Sequence, residues 1–183
     1  MMGAPVLSFA LRALALAIGL VLIAGALDKL RDWPAFRAAV ANYRVLPSGF
    51  VALAAIGLPL AEAAAGAALL VDASRIVGAW LGAGVIGVAT AGIAVNVARG
   101  RTDIDCGCGG VEGRQRLSWS LVARNLVLVA LLGCAAQVAA PPLRGIASGA
   151  TLAMAALAFF ALFAAASQIV AQRPLLNELA KRP

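Results

Sequence analysis

Apolar side chains along this chain come in five long runs, separated by short polar stretches. The runs cover residues 6–27, 49–71, 76–98, 121–140 and 146–171. Each is close to the ~20 residues with which a helix crosses the hydrocarbon core of a bilayer. A span in lipid must satisfy its own backbone hydrogen bonds, so the core is expected to be helix against helix. The pattern predicts an all-α, polytopic membrane bundle of four to five transmembrane helices, in a single domain over residues 1–183. The first run has a competing reading. Arg12 interrupts it, its uncharged stretch is short, and Ala24-Gly25-Ala26 fits a small-residue cleavage site for a secretory leader. The charged leader is poor, with Arg12 alone before the apolar stretch, which favours a retained helix.

The polar stretches carry their own signals. Between the first two runs, Asp32 is placed to cap a short helix with Pro34 in its first turn. Trp33, Phe36, Val40 and Tyr43 then share one face at helical spacing, flanked by Arg37 and Arg44. This predicts a short amphipathic helix lying in the headgroup region; a solvated loop is the bland alternative. Gly78 with Gly82, and Ala61 with Ala65, have the small-xxx-small spacing that lets helices approach closely, though alanine-rich chains show it by chance too. Ser118 is placed to cap the fourth helix and Trp119 to sit in an interfacial belt. Pro141-Pro142 separates the last two runs, and the tail after Ala171 is basic.

Glu62 and Asn96 are polar side chains well inside apolar runs. Glu62 lies in the second, three residues after Pro59, where a carboxyl needs a partner or a cavity. Lys29, Arg124 and Asn125 are the candidate partners. A functional polar site (a quinone contact or proton relay) and an interhelical hydrogen bond are both open for Glu62, Arg124 and Asn125. Asn96, near the end of the third run, is expected to bond another helix.

Composition supports the membrane reading. Hydrophobic residues make up 63% of the chain and charged residues 13%, against about 25% charged in an ordinary soluble domain. The net charge is +7, but the basic residues sit between the apolar runs, so the partner they suit is anionic lipid rather than nucleic acid. Histidine is absent, which excludes histidine-based hydrolase triads and removes the commonest metal ligand.

The chemistry candidate is Asp105-Cys106-Gly107-Cys108-Gly109-Gly110, a polar loop with two cysteines one glycine apart. Such a pair can close a small strained disulfide, and strain makes a disulfide a better oxidant of another dithiol. Gly107 supplies the backbone freedom for closure, and Gly109 and Gly110 leave room for a partner chain. Asp103 and Asp105 disfavour a thiolate, whereas Arg101, Arg114 and Arg116 favour one. The rival readings are a metal site, poorly served by one cysteine pair without histidine, and a pair of idle thiols. Cys134 differs: a helix starting at Ser118 carries it about 24 Å along the axis, which predicts a buried thiol near mid-bilayer.

Taken with the surrounding residues, this pattern resembles the MauE family of methylamine-utilisation membrane proteins, within a wider MauE/DoxX redox-associated group. The matching residues are Lys29, Phe36, Tyr43-Arg44-Val45-Leu46-Pro47, Pro59, Glu62 and Gly66, then Arg99-Gly100, Cys106-Gly107-Cys108, Ser118-Trp119 and Arg124-Asn125. One departure is visible: the family pattern has an aromatic after the second cysteine, where this chain has Gly109. The resemblance implies a bacterial inner-membrane protein that supports maturation of the disulfide-rich, quinone-bearing small subunit of methylamine dehydrogenase. It implies a thioredoxin-like partner of the MauD type, Cys106 and Cys108 as the catalytic pair, no covalently bound cofactor, and an architecture similar to vitamin K epoxide reductase-type bundles that pass electrons from thiols to quinone.

Sidedness is contested within the sequence. With five spans, Lys29, Arg31, Arg37, Arg44, Arg99, Arg101, Arg114, Arg116, Arg173, Lys181 and Arg182 share one face; Arg12, Arg75 and Arg144 share the other. The positive-inside rule puts the first group, and the cysteines with it, in the cytoplasm. The implied periplasmic client requires the opposite. A non-enzymatic scaffold for the partner or client, a reductant carrier fed from the cytosol, and a small-molecule transporter built around Glu62 are the competing functions.

Overall fold

The computed structural model describes residues 3–107, 116–138 and 146–179. Cys108, Gly109, Gly110, Arg114, Pro141, Pro142, Arg144, Lys181 and Arg182 therefore lie outside the described residues. The five runs become five long helices, each long and apolar enough to cross a membrane. They are α1 (Gly3–Arg31), α3 (Ser48–Leu70), α4 (Arg75–Ala98), α5 (Trp119–Gln137) and α6 (Ile146–Leu179), with the short α2 (Trp33–Tyr43) between the first two. Among the described residues there is no β-strand, only an isolated bridge between Asp105 and Arg116. The last helix outruns its expected end at residue 171 and continues to Leu179, through a stretch rich in leucine.

α1 is the centre of the bundle. It packs along α3 and also touches α2, α4, α5 and α6, while α4 joins α3 to α5. Ala15, Ile18 and Leu22 of α1 meet Ala65 and Leu69 of α3, Ala79 and Ile86 of α4, and Leu132 of α5 in the main core. Outside this core the surface is apolar. Phe50, Leu53, Trp80, Val88, Leu126, Val127, Met154 and Leu162 are all more than half exposed, the reverse of a soluble surface and what lipid solvation requires.

Close helix approach depends on glycine. A Cβ on Gly66 would sit 2.7 Å from the carbonyl oxygen of Gly19, so α1 and α3 cross backbone to backbone. At the α3–α4 turn, Gly78 has the close-approach role its spacing suggests, with the backbone of Leu69 2.6 Å from where its Cβ would be. The end of the bundle away from the cysteine loop is tied by two arginines. Arg12, buried inside α1, donates to the carbonyl of Leu69 at 2.9 Å and pairs with Asp72 at 2.9 Å. Arg75 donates to the carbonyls of Ala135 and Val138 at the end of α5, satisfying acceptors a helix end leaves open.

The short helix α2 forms where expected, and its face Trp33–Phe36–Val40–Tyr43 rests on the protein: Phe36 is buried and α2 packs on α1, α3 and α4. An apolar helical stripe fits lipid or protein equally, and here protein takes it. Two other expectations are corrected. Asn96 bonds no other helix among the described residues. It is fully buried, donates to the carbonyl of Gly92 one turn back, and accepts from Arg101 in the following loop. Cys134 is exposed rather than buried, and lies in the last turn of α5, not mid-span. The reason is that α5 stops at Gln137 and turns its Leu132 face to the core.

Candidate functional site

The capping signals act as read. Asp32 accepts from the backbone N–H of Ala35 and starts α2, with proline in the first turn. Ser118 accepts from Leu121 N–H and starts α5. α2 ends on Arg44 in the left-handed region, at φ 47°. Its C-terminal carbonyls are then taken by Arg101, which donates to Asn42 O at 2.8 Å, Tyr43 O at 3.2 Å and Asn96 Oδ1 at 2.9 Å. One guanidinium thus joins α2, α4 and the start of the cysteine loop. Its fork geometry suits several acceptors at once.

The loop is held against this frame. Cys106 is 7% exposed and packs among Ile93, Val97, Leu117, Leu121 and Val122, with Tyr43 at the margin. Tyr43 Oη donates to the carbonyl of Cys106 at 2.9 Å. Burial, and then the nearby Asp105 carboxylate, push the Tyr43 phenol well above its ordinary value, so it stays a donor throughout the neutral range. Asp105 Oδ1 accepts from Gly107 N–H at 3.0 Å. Gly107 takes φ 68°, and a Cβ there would meet Phe36 and Ala39 of α2 at 3.2–3.4 Å. The freedom expected of Gly107 is used twice, for the turn and for contact with α2.

Cys106 is disulfide-bonded, and Cys134 is a free thiol. Two of the arginines expected to favour a thiolate are engaged elsewhere. Arg101 holds the end of α2, and Arg116 faces Asp103 at 3.3 Å, both side chains being largely exposed.

Glu62 is buried in α3, and its partner is Lys29 at the end of α1, with Nζ 2.7 and 3.0 Å from the two carboxylate oxygens. Each side chain is 10% exposed. Arg124 and Asn125, the other candidates, line the same cavity as Lys29 and Glu62. This space of about 140 Å³ between α1, α3, α4, α5 and α6 has Lys29, Glu62, Arg124 and Asn125 as its polar wall, and is otherwise apolar. Arg124 donates to Asn125 Oδ1 and to Ser167 Oγ of α6, and stands 5.3 Å from the ring centre of Phe163. The three residues expected to form one polar site are therefore brought together. What sequence reasoning missed is the wall from α6. Phe159, Phe163 and Ser167 recur every four residues on that helix, a stripe that marks one face.

Lys29 has a second neighbour. Its ammonium lies 5.8 Å from the ring centre of Phe36, the residue on which Gly107 rests. An open groove of about 480 Å³ between the end of α1, α2 and the loop is lined by Asp28, Lys29, Asp32, Phe36, Asp105 and Gly107 among others.

A family model described as methylamine utilisation protein MauE matches residues 7–139, which includes every site residue named above except those of α6. The chain belongs to the MauE family. It is similar to the methylamine utilization protein MauE of Paracoccus versutus, at 40% identity over 90% of this chain and 88% of that protein. It is also similar to those of Paracoccus denitrificans, at 42% identity over 69% of this chain and 67% of the relative, and of Methylophilus methylotrophus, at 43% over 69% and 65%. No solved structure matches the chain. Membership places this multi-pass membrane chain in methylamine utilisation.

Proposed function

We propose that this MauE-family chain is a thiol–disulfide redox protein of the bacterial inner membrane, with its cysteine loop on the periplasmic side. It supports disulfide formation in the small, quinone-bearing subunit of methylamine dehydrogenase together with a thioredoxin-like partner of the MauD type. The observation that carries this reading is that Cys106 is held as a disulfide in a loop clamped by Tyr43, Phe36 and Arg101. A thiol kept merely reduced and idle needs no such frame. The chain has three cysteines, and Cys134 is free, so Cys108 is the partner we assign to Cys106.

Burial of Cys106 gives the exchange a direction. A partner thiolate attacks the sulfur of Cys108, the S–S bond breaks, and Cys106 leaves as the thiolate. The partner's second thiol then attacks the mixed disulfide, its own disulfide forms, and Cys108 is released. The chain ends as a dithiol that must lose two electrons and two protons to return. The acceptor we assign is a quinone of the membrane, with Glu62, Arg124 and Asn125 at its polar contact. The cavity they line is about the size that holds one six-membered ring.

The charge count against a periplasmic loop loses weight once its residues have other duties. Lys29 pairs with Glu62, Arg101 holds α2 and Arg116 faces Asp103. A second reading, a scaffold that seats the partner or client without exchange, draws on the groove beside Gly107. One experiment separates the two. Cys106→Ser leaves Cys108 able to trap a partner as a mixed disulfide, visible on a non-reducing gel and removed by reductant. Redox action predicts this species and the loss of client disulfides. Full client maturation in a Cys106→Ser/Cys108→Ser variant favours the scaffold.

A further inference from the structure

Among the described residues, Lys29 is common to the groove beside the cysteine loop and the cavity between the helices. On the groove side it shares space with Asp28, Asp32, Asp105 and the Phe36 ring. On the cavity side its ammonium meets Glu62 at 2.7 Å, with Arg124 across the same space. A charged pair this deep in an apolar bundle is a poor device for stability alone, since desolvation offsets most of its attraction.

We propose that Lys29 and Glu62 form a proton-transfer pair linking the cysteine loop to the cavity. Protons released when the Cys106–Cys108 dithiol is oxidised reach a quinone ring held there. This deepens the redox reading above and rests on it. The two thiols give up two electrons and two protons as the S–S bond forms, and the quinone takes both to become the quinol. Each proton enters the groove and is taken up by Lys29 as Lys29 passes one to Glu62. Glu62, as the neutral acid, delivers its proton to a ring oxygen. After each transfer the pair is again ammonium and carboxylate, and two transfers complete one quinol. Lysine can do this because its ammonium can lose a proton; a guanidinium cannot. Lys29 lines both the groove and the cavity, Glu62 lines the cavity, and Asp105 and Gly107 on either side of Cys106 line the groove.

The test uses the full chain, purified in lipid nanodiscs with the dithiol reduced, and duroquinone, a one-ring quinone, as oxidant. Lys29→Arg keeps the positive partner for Glu62 but removes the exchangeable proton, and thermal unfolding checks that it folds. A proton-transfer role predicts a fall in the quinone-dependent rate on the order of 10²-fold, as low as in Lys29→Met. A merely structural pair predicts that arginine restores what methionine loses, and that result overturns the proposal. If Lys29→Arg unfolds, Lys29→Gln/Glu62→Gln, which keeps a neutral hydrogen bond, takes its place; a wild-type rate there also overturns it. Failure of the wild type to react with duroquinone while exchanging with glutathione disulfide sinks the quinone route but not the thiol chemistry. Failure to react with either sinks the redox reading itself.

Discussion

Glu62 and Lys29 sit where either charge alone is costly. Lys29→Met leaves a carboxylate buried in the bundle, and removing one partner of such a pair costs about 3–5 kcal/mol. Unfolding in detergent should show that loss, and should show a much smaller one for Lys29→Met/Glu62→Leu, which removes both charges. Tyr43→Phe deletes one hydrogen bond to the Cys106 carbonyl and is expected to cost about 1 kcal/mol. Its pH dependence has a definite sign. Burial raises the phenol above its ordinary value near 10, so its contribution is intact below pH 10. It is lost only as pH rises from there through the folded-state value. A thermal-stability profile of wild type against Tyr43→Phe should be parallel from neutral to mildly alkaline pH and converge above it. At this scale the sequence was informative but incomplete. A carboxyl in an apolar run announces a need for a partner. That Lys29 reaches Glu62 depends on the register of α1 against α3, which no local pattern encodes.

That register belongs to the helices. Gly19 and Gly66 let α1 and α3 meet at their backbones, and the crossing sets how far Lys29 reaches toward Glu62. Gly66→Ala places a methyl within 2.7 Å of a carbonyl oxygen and of the Ile23 side chain. Neither can be relieved without moving α1, so a loss of about 1–3 kcal/mol is expected, together with a weakened Lys29–Glu62 pair. The long helices were legible because a run of apolar residues near the length of a span has few other fates. Their caps at Asp32 and Ser118 were legible because capping is local chemistry. The orientation of α2 was not, since Phe36 and Tyr43 would suit a lipid surface as well as they suit Gly107 and Cys106. Nor was the role of Arg101, which looked like a charge for a thiolate and instead closes the end of α2. The α6 wall was half legible: its four-residue spacing is visible, but only packing on α1 shows that the stripe faces a cavity.

The whole molecule combines an apolar exterior, a central α1 and two chemically different ends. One is tied by Arg12 to Asp72 and by Arg75 to the end of α5. The other carries α2, the groove and the disulfide-bonded Cys106. The account depends on which side of the membrane that second end faces. Labelling with a membrane-impermeant maleimide in intact cells, in a Cys134→Ser background, tests this most directly. The account predicts no labelling of the loop cysteines until mild reduction opens the disulfide, then labelling from outside with Cys108 reacting first. Labelling that appears only after the membrane is opened would contradict it, and would place the pair where a cytosolic thiol system feeds it.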